Sequence, residues 1–316
     1  MFKIIKERFG KFTKIKIENS DTLEYISIIP EFGGNVNEIV LGKEGKIYSI
    51  LDGYITPLEL VKHDYFKGAK LIPFPNRIED GKYSFNGKDY QLPINKPDEN
   101  HAIHGFVWNK KLTLQKKESR DKYASVQFKY IYDRTLPGYP FKTRLRITYY
   151  LITEKGFKCT TEIKNIDSCK IPIADGWHPY FKTSGKVDEL MLKIPAKYKT
   201  DVDLRMIPTG ERSLFNEYVQ LAKIGDTEFD TGFPITQNDG SVTTEIYDPK
   251  IDLKIKIWQD TGKGKYNYLQ IYIPPSRKSI AIEPMTCKIN GFNNKEGLIV
   301  LPPNESFKAS YGVSIE

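Results

Sequence analysis

Cysteine and histidine are scarce, at three and four of 316 residues. Cys159, Cys169 and Cys287 match no zinc spacing and no disulfide framework, so they read as free thiols of a reducing compartment. Long apolar runs are missing too. Stretches such as ITYYLI (147–152) fall far short of the roughly 20 residues a membrane-spanning helix needs. The start, MFKIIKERFGKF, has no apolar core of a secretory signal. A cytoplasmic protein without a membrane partner is expected. No G-x-S-x-G and no dinucleotide fingerprint occurs, and GKGK (262–265) lacks phosphate-loop spacing. Lys plus Arg exceeds Asp plus Glu by 48 − 40 = 8, but the lysines are dispersed and alternate with apolar residues, as in KFTKIKIE and DLKIKIW. That is the solvated face of strands, and no nucleic-acid partner is expected.

What is abundant is period-two alternation. EYISII, ASVQFKYIYD, KTRLRITYYLIT, GFKCTTEIKN, LKIKIW, YLQIYIP and SIAIEP all carry it. Turn signals separate the runs: Asn86-Gly87, Pro137-Gly138, Asn165-Ile166-Asp167 and Asn238-Asp239-Gly240. Helical periodicity is confined to TPLELVKHDYF (56–66), which predicts one short helix. With 39% hydrophobic and 28% charged residues, the chain reads as globular. An all-β fold is expected, a large antiparallel β-sandwich with few short helices, as one domain over 1–316.

Five stretches carry groups with chemistry. NRIEDGKYSFNGKDYQL (76–92) reads as a hairpin about Asn86-Gly87, led in by the stiff PFPN. Arg77 there is by itself as well read as a surface residue. On a fixed backbone it would instead offer its donor fork to a hydroxylated ligand. In ENHAIHGF (99–106), His101 and His104 would face opposite sides of a strand, so no metal site is expected. His104, before Gly105, suits hydrogen bonding in a cleft. IAIEPMT (280–286) places Glu283 before Pro284, which is expected to end strand pairing there and leave a half-desolvated carboxylate with a raised pKa. FDTGF (229–233) adds Asp230. In DGWHPYF (175–181) an ionisable ring, His178, sits among aromatics, where a satisfied core histidine is the bland alternative.

Taken in order, NRIEDGKYSFNGKDYQL, HAIHGF, NIDSCKIPIADGWHPYF, FDTGF and IAIEPMTCKINGFNN resemble the aldose 1-epimerase (galactose mutarotase) superfamily, from about residue 70 to the C-terminus. The resemblance implies a β supersandwich with an open sugar cleft. It implies interconversion of the α and β anomers of a free sugar without metal or cofactor. By resemblance His178 would be the general acid, an imidazolium held against the sugar ring by its aromatic neighbours, and Glu283 the general base. Arg77, His104 and Asp230, with Asn76 beside Arg77 and Tyr272 on the cleft wall, would bind substrate. The chain departs from the family's pattern at His101, at Phe106, at IYIPP (271–275) and at PPNE (302–305). These changes bear on which sugar the cleft accepts.

The partner implied is a small-molecule sugar, and the protein a monomer or homodimer. Three other readings remain at this stage. A sugar-phosphate 1-epimerase would need added cations at the rim, for which Arg134, Arg144 and Arg146 are candidates. A sugar sensor would not need an acid and a base. A glycosidase would pair Glu283 with Asp230 and leave His178 without a task.

Overall fold

The computed structural model describes residues 1–235 and 238–316. Antiparallel strands dominate, and the named ladders are antiparallel throughout. Phe2–Phe9, Phe12–Asn19, Tyr25–Ile29, Asn35–Lys43 and Lys46–Ser49 form a five-stranded meander. A nine-stranded sheet runs from Thr113–Ser119 at one edge to Ala222–Lys223 at the other. Its centre is closed by the C-terminal strand Ser306–Ile315, between Gly156–Asn165 and Leu253–Thr261. Alternation is the cause. Along Gly156–Asn165 and Leu253–Thr261 every second side chain is buried. One cluster of buried apolar side chains joins the sheets, reaching from Phe2 to Val313.

Among the described residues two short α-helices occur, Pro57–Lys62 and Gly291–Asn294. The first is shorter than the sequence pattern suggested. Thr56 caps it, its Oγ1 accepting from Glu59 N–H at 3.2 Å, and His63 ends it with a left-handed backbone. The remaining Asp64–Phe66 curl over a cleft. The 76–92 hairpin pairs Lys82–Phe85 with Lys88–Gln91, and Asn86 and Gly87 both take positive φ, as a two-residue primed turn requires. No helix of the described residues is long and apolar enough to cross a membrane.

A third sheet carries the chemistry. Tyr180–Phe181, Ile280–Met285, Tyr268–Tyr272 and Asp230–Pro234 lie side by side in that order. Phe181, Ile280, Ile282, Leu269, Ile271 and Phe233 point to the apolar core from one face. The other face carries Tyr180, Glu283, Gln270, Tyr272 and Asp230 toward the cleft. Ile282 is fully buried, so Ile282→Ala is expected to cost about 2–5 kcal/mol through lost burial and a residual cavity. Denaturant unfolding should show a lower midpoint at unchanged slope. A loss below about 1 kcal/mol would mean this face is not tightly packed.

Candidate active site

Register explains why DGWHPYF and IAIEPMT belong together. Phe181 pairs with Ile280, Tyr180 with Ala281, and Gly176 bridges Met285. The same register puts His178 opposite Glu283, side chains on the same face. His178 Nε2 lies 3.3 Å from Glu283 Oε1, and both residues are almost wholly buried. Next along the row, Gln270 pairs with Glu283 and Gly232 with Gln270. The neighbouring row is Tyr180, Ala281, Tyr272 and Asp230. Three polar atoms here are buried without a protein partner: His178 Nδ1, Glu283 Oε2 and Gln270 Oε1. Buried polar atoms are nearly always paired, so a ligand rich in hydroxyls is the natural complement.

The position expected for Glu283 needs correction. Pairing does not stop at Pro284, since the ladder to Tyr268–Tyr272 continues through Pro284–Leu269 to Met285–Tyr268. Ile282 N–H points the other way, donating to Pro179 C=O at 3.3 Å. By alternation the N–H that Pro284 lacks would face the same side, opposite Trp177. Glu283 is therefore mid-strand and deeply buried, and not a half-wet strand tip.

The expected imidazolium is also corrected. Burial lowers the His178 pKa to about 3, so its resting form is the neutral ring. Burial, with Asp230 adding to it, lifts the Glu283 pKa well above the carboxylate range, against a lowering by Arg77. The ring of His178 stacks on Tyr180, centroids 5.0 Å apart at 13°, and meets the edge of His104 at 5.1 Å.

Arg77 and His104 come from two paired two-residue strands, Arg77–Ile78 and Ala102–Ile103. Asn76 and His104 both have left-handed backbones, φ 57 and 62, uncommon outside glycine. They hold each other. His104 N–H donates to Asn76 C=O at 3.0 Å, and Asn76 N–H donates to His104 Nδ1 at 3.2 Å. The His104 proton then sits on Nε2, and burial keeps the ring neutral with a pKa well below 6.5. Gly105 is required where it stands, because a Cβ there would lie 2.1 Å from Ile72 O.

The guanidinium of Arg77 is not a free fork. Glu99 takes its Nε–H at 2.5 Å and an Nη2–H at 3.1 Å, and Asn76 Oδ1 accepts from Nη1 at 3.2 Å. Asp230 Oδ2 is 3.9 Å from Nη2, while its Oδ1 accepts from Gln270 Nε2 at 2.6 Å. Burial raises the Asp230 pKa against the pull of Arg77.

All seven residues singled out in the sequence, Asn76, Arg77, His104, His178, Asp230, Tyr272 and Glu283, line one open cavity of about 480 Å³. Its other walls were not anticipated. Glu99 and Lys96 come from a loop with no signal. Gln270 did have one, a polar residue two before Tyr272 on an otherwise apolar strand. The lip Asp64–Phe66 was hidden in a helical pattern. Tyr65 there stacks on Tyr272 at 6.4 Å, and Phe66 packs on His104 at 4.8 Å.

Other candidates fall outside. His101 is buried and structural, its Nδ1 accepting from Asp80 N–H and its Nε2 3.1 Å from Arg205 C=O. Arg134, Arg144 and Arg146 do not line the cleft. Arg134 is held by Asp167 and Arg146 by Glu162, on the large sheet and its loops. Among the described residues no group of three His, Cys, Asp or Glu could hold a metal ion.

Comparison with known proteins shows what the chain resembles. Residues 14–314 match the family model "Aldose 1-epimerase". Over 254 residues the chain is 30% identical to the uncharacterized protein YihR of Escherichia coli K12, covering 78% of this chain and 79% of that one. It is 30% identical over 208 residues to human galactose mutarotase, covering 64% of this chain and only 52% of the human protein, about half its length. A galactose mutarotase-like protein of Clostridium acetobutylicum superposes with a TM-score of 0.88 at 26% identity, over 100% of this chain and 98% of the other. The galactose 1-epimerase of Lactobacillus acidophilus shares the fold, at a TM-score of 0.80 and 16% identity over 100% of this chain and 98% of the other. The chain belongs to the aldose 1-epimerase family of isomerases.

Proposed function

We propose that the protein interconverts the α and β anomers of an uncharged free aldose, with His178 and Glu283 as a coupled acid–base pair. The observation that carries this reading is their cross-strand contact at 3.3 Å on a cleft face, with the far atoms Nδ1 and Oε2 left unpaired. The pair holds one exchangeable proton. Burial rests it on Glu283, and its passage to His178 gives the carboxylate and imidazolium that do the work. The carboxylate of Glu283 removes the proton of the sugar O1. His178 gives its proton to the ring oxygen as the C1–O5 bond breaks. The aldehyde turns about C1–C2 and recloses on its other face. In reclosure His178 takes the O5 proton back and Glu283 returns its proton to O1. No atom is gained or lost, and both groups end as they began.

The charge of the cleft supports a neutral sugar over a phosphorylated one. Beside the protonated Glu283 its lining holds three carboxylates, Asp64, Glu99 and Asp230, against two cations, Arg77 and Lys96. Both cations are engaged. Glu99 holds Arg77, and Lys96 Nζ is 3.8 Å from Asp98 and 4.0 Å from Glu99. A phosphate would meet carboxylates and no free guanidinium. A glycosidase reading leaves the His178–Glu283 contact unused, and a mere sensor has no need of it. The main core cluster, which runs from Phe2 to Val313, supports a single domain. Anomerisation of a panel of free and 6-phosphorylated aldoses, followed by polarimetry or NMR, is the test. Faster turnover of phosphorylated sugars than of free ones would overturn the substrate class.

His104 and Arg77 are read as binding groups. His104→Gln displaces a neutral hydrogen-bond donor and Arg77→Met removes a charged one. Each is expected to raise KM by roughly 10–100-fold and to reduce kcat less. A large fall in kcat at unchanged KM would instead place either residue in the proton transfers.

A further inference from the structure

The segment that carries His178 is well bonded by backbone on one side only: Gly68 N–H donates to His178 C=O at 2.8 Å, and Leu71 and Gly176 exchange both bonds at 2.9 and 3.1 Å. Trp177–His178 is only two residues long and pairs with Ala69–Lys70. On its other side lies the segment of Glu283, and two prolines thin the ladder between them. Pro179 stands opposite Ile282 and Pro284 opposite Trp177, and neither has an N–H to give. Ile282 N–H still reaches Pro179 C=O at 3.3 Å, but the ladder beside His178 and Glu283 is thin enough for a side-chain network to help set their separation.

Asp175 does so from three residues upstream. Its N–H donates to Thr286 Oγ1 at 2.9 Å, and Thr286 N–H donates to its C=O at 2.9 Å. Asp175 and Thr286 are thus tied at the same register that sets His178 against Glu283. The carboxylate of Asp175 is wholly buried and meets the wholly buried Lys70, Nζ lying 2.7 Å from Oδ1 and 2.9 Å from Oδ2. Lys70 is on the strand that flanks His178 from the other side. Its Nζ also donates to Thr161 Oγ1 at 3.0 Å and Tyr311 OH at 3.2 Å, both on the nine-stranded sheet. Tyr266 OH donates to Asp175 Oδ2 at 2.6 Å. Trp177 stacks on Tyr311 at 4.9 Å and 13°, on the same side as Lys70. The cleft face holds His178, and the rear face holds this network.

A dry ion pair is a poor device for stability alone, because apolar side chains of similar volume often serve as well or better. We infer that the Lys70–Asp175 pair positions His178, locking the strands on both sides of it in place of the bonds the two prolines remove. Lys70 and Asp175 touch no substrate in this account. The inference rests on the proposed function for its kinetic readout, but not for its structural one.

The test replaces both charges at once, Lys70→Met with Asp175→Leu, so that no lone charge is left buried. The variant should stay folded, with a melting temperature lowered only modestly, because the hydroxyls of Tyr266, Thr161 and Tyr311 lose their charged partners. On the sugar that the wild type turns over best, kcat should fall 10–100-fold with KM within about twofold. The 15N imidazole signals of His178 should move or broaden relative to the wild type. Tyr266→Phe, which removes one hydrogen bond to Asp175, is made in parallel. Should the double variant not fold, Tyr266→Phe decides the matter by the same two readings, with a severalfold fall in kcat expected. A folded variant with wild-type kcat and wild-type His178 signals overturns the inference. So does a fall in kcat with His178 signals unmoved. If the wild type anomerises no sugar, the proposed function fails, while the His178 spectrum still decides for or against the positioning role.

Discussion

The double variant Glu283→Gln/His178→Asn is expected to anomerise sugar no more slowly than the worse of its two single variants. Each single variant should lose about 10²–10⁴-fold in rate, the usual worth of a positioned acid or base. Non-additivity follows from the contact itself. One proton is shared across 3.3 Å, and both groups act in the same bond-breaking step. Removing either partner leaves the other with no proton to take or none to give. Glu283→Gln is isosteric, and His178→Asn, though smaller, keeps a polar atom at the Nδ1 position, so the variants should fold. If the two losses multiplied instead, His178 and Glu283 would be acting in separate steps.

The pH dependence of kcat/KM should be a broad plateau whose limbs are the reverse of an ordinary assignment. The active state is the pair carrying one proton. Below the plateau the pair gains a second proton, and no base remains. Glu283 holds its proton already, since burial raises it, so this limb belongs to the His178 imidazole, lowered to about 3. Above the plateau the pair loses its one proton, and no acid remains. That limb is set by the raised Glu283 carboxyl. Beyond either limb the rate should fall about tenfold per pH unit, with apparent pKa values that belong to the pair. In Glu283→Gln the alkaline limb should vanish from the residual rate. An acid limb near pH 6.5, where an exposed histidine titrates, would contradict the burial of His178 described above.

Much of this was legible in the chain. Alternation in GFKCTTEIKN and LKIKIW marked strands that are half buried for the reason alternation implies. Asn86-Gly87 marked a turn that both residues make with positive φ. The residues of the site were legible as motifs, because each combines an ionisable or polar group with a proline, a glycine or an aromatic run that fixes its backbone. What the chain did not show was pairing across long separations. His178 and Glu283 are neighbours only through the register of Gly176 with Met285 and Tyr180 with Ala281, a distance of over a hundred residues in sequence. Pro284 was misleading for the same cause. A missing N–H stops a ladder only on the side it faces, and which side that is depends on the partners. Glu99 sits in a loop without pattern, so its grip on Arg77 could not be foreseen. The depth of His178 was hidden too, since burial is a property of the assembled sheets and reversed the charge state expected of its ring.

The most direct test of the central claim is the anomeric exchange rate of a free aldose, measured by NMR at equilibrium, with folded Glu283→Gln beside the wild type. The account predicts that the wild type exchanges at least one free hexose far faster than buffer does. It predicts that Glu283→Gln, with an unchanged melting temperature, loses about 10²–10⁴-fold of that acceleration. A folded Glu283→Gln that exchanges the same sugar at near the wild-type rate would contradict the assignment of Glu283 as the base, and with it the mechanism built on the His178–Glu283 pair.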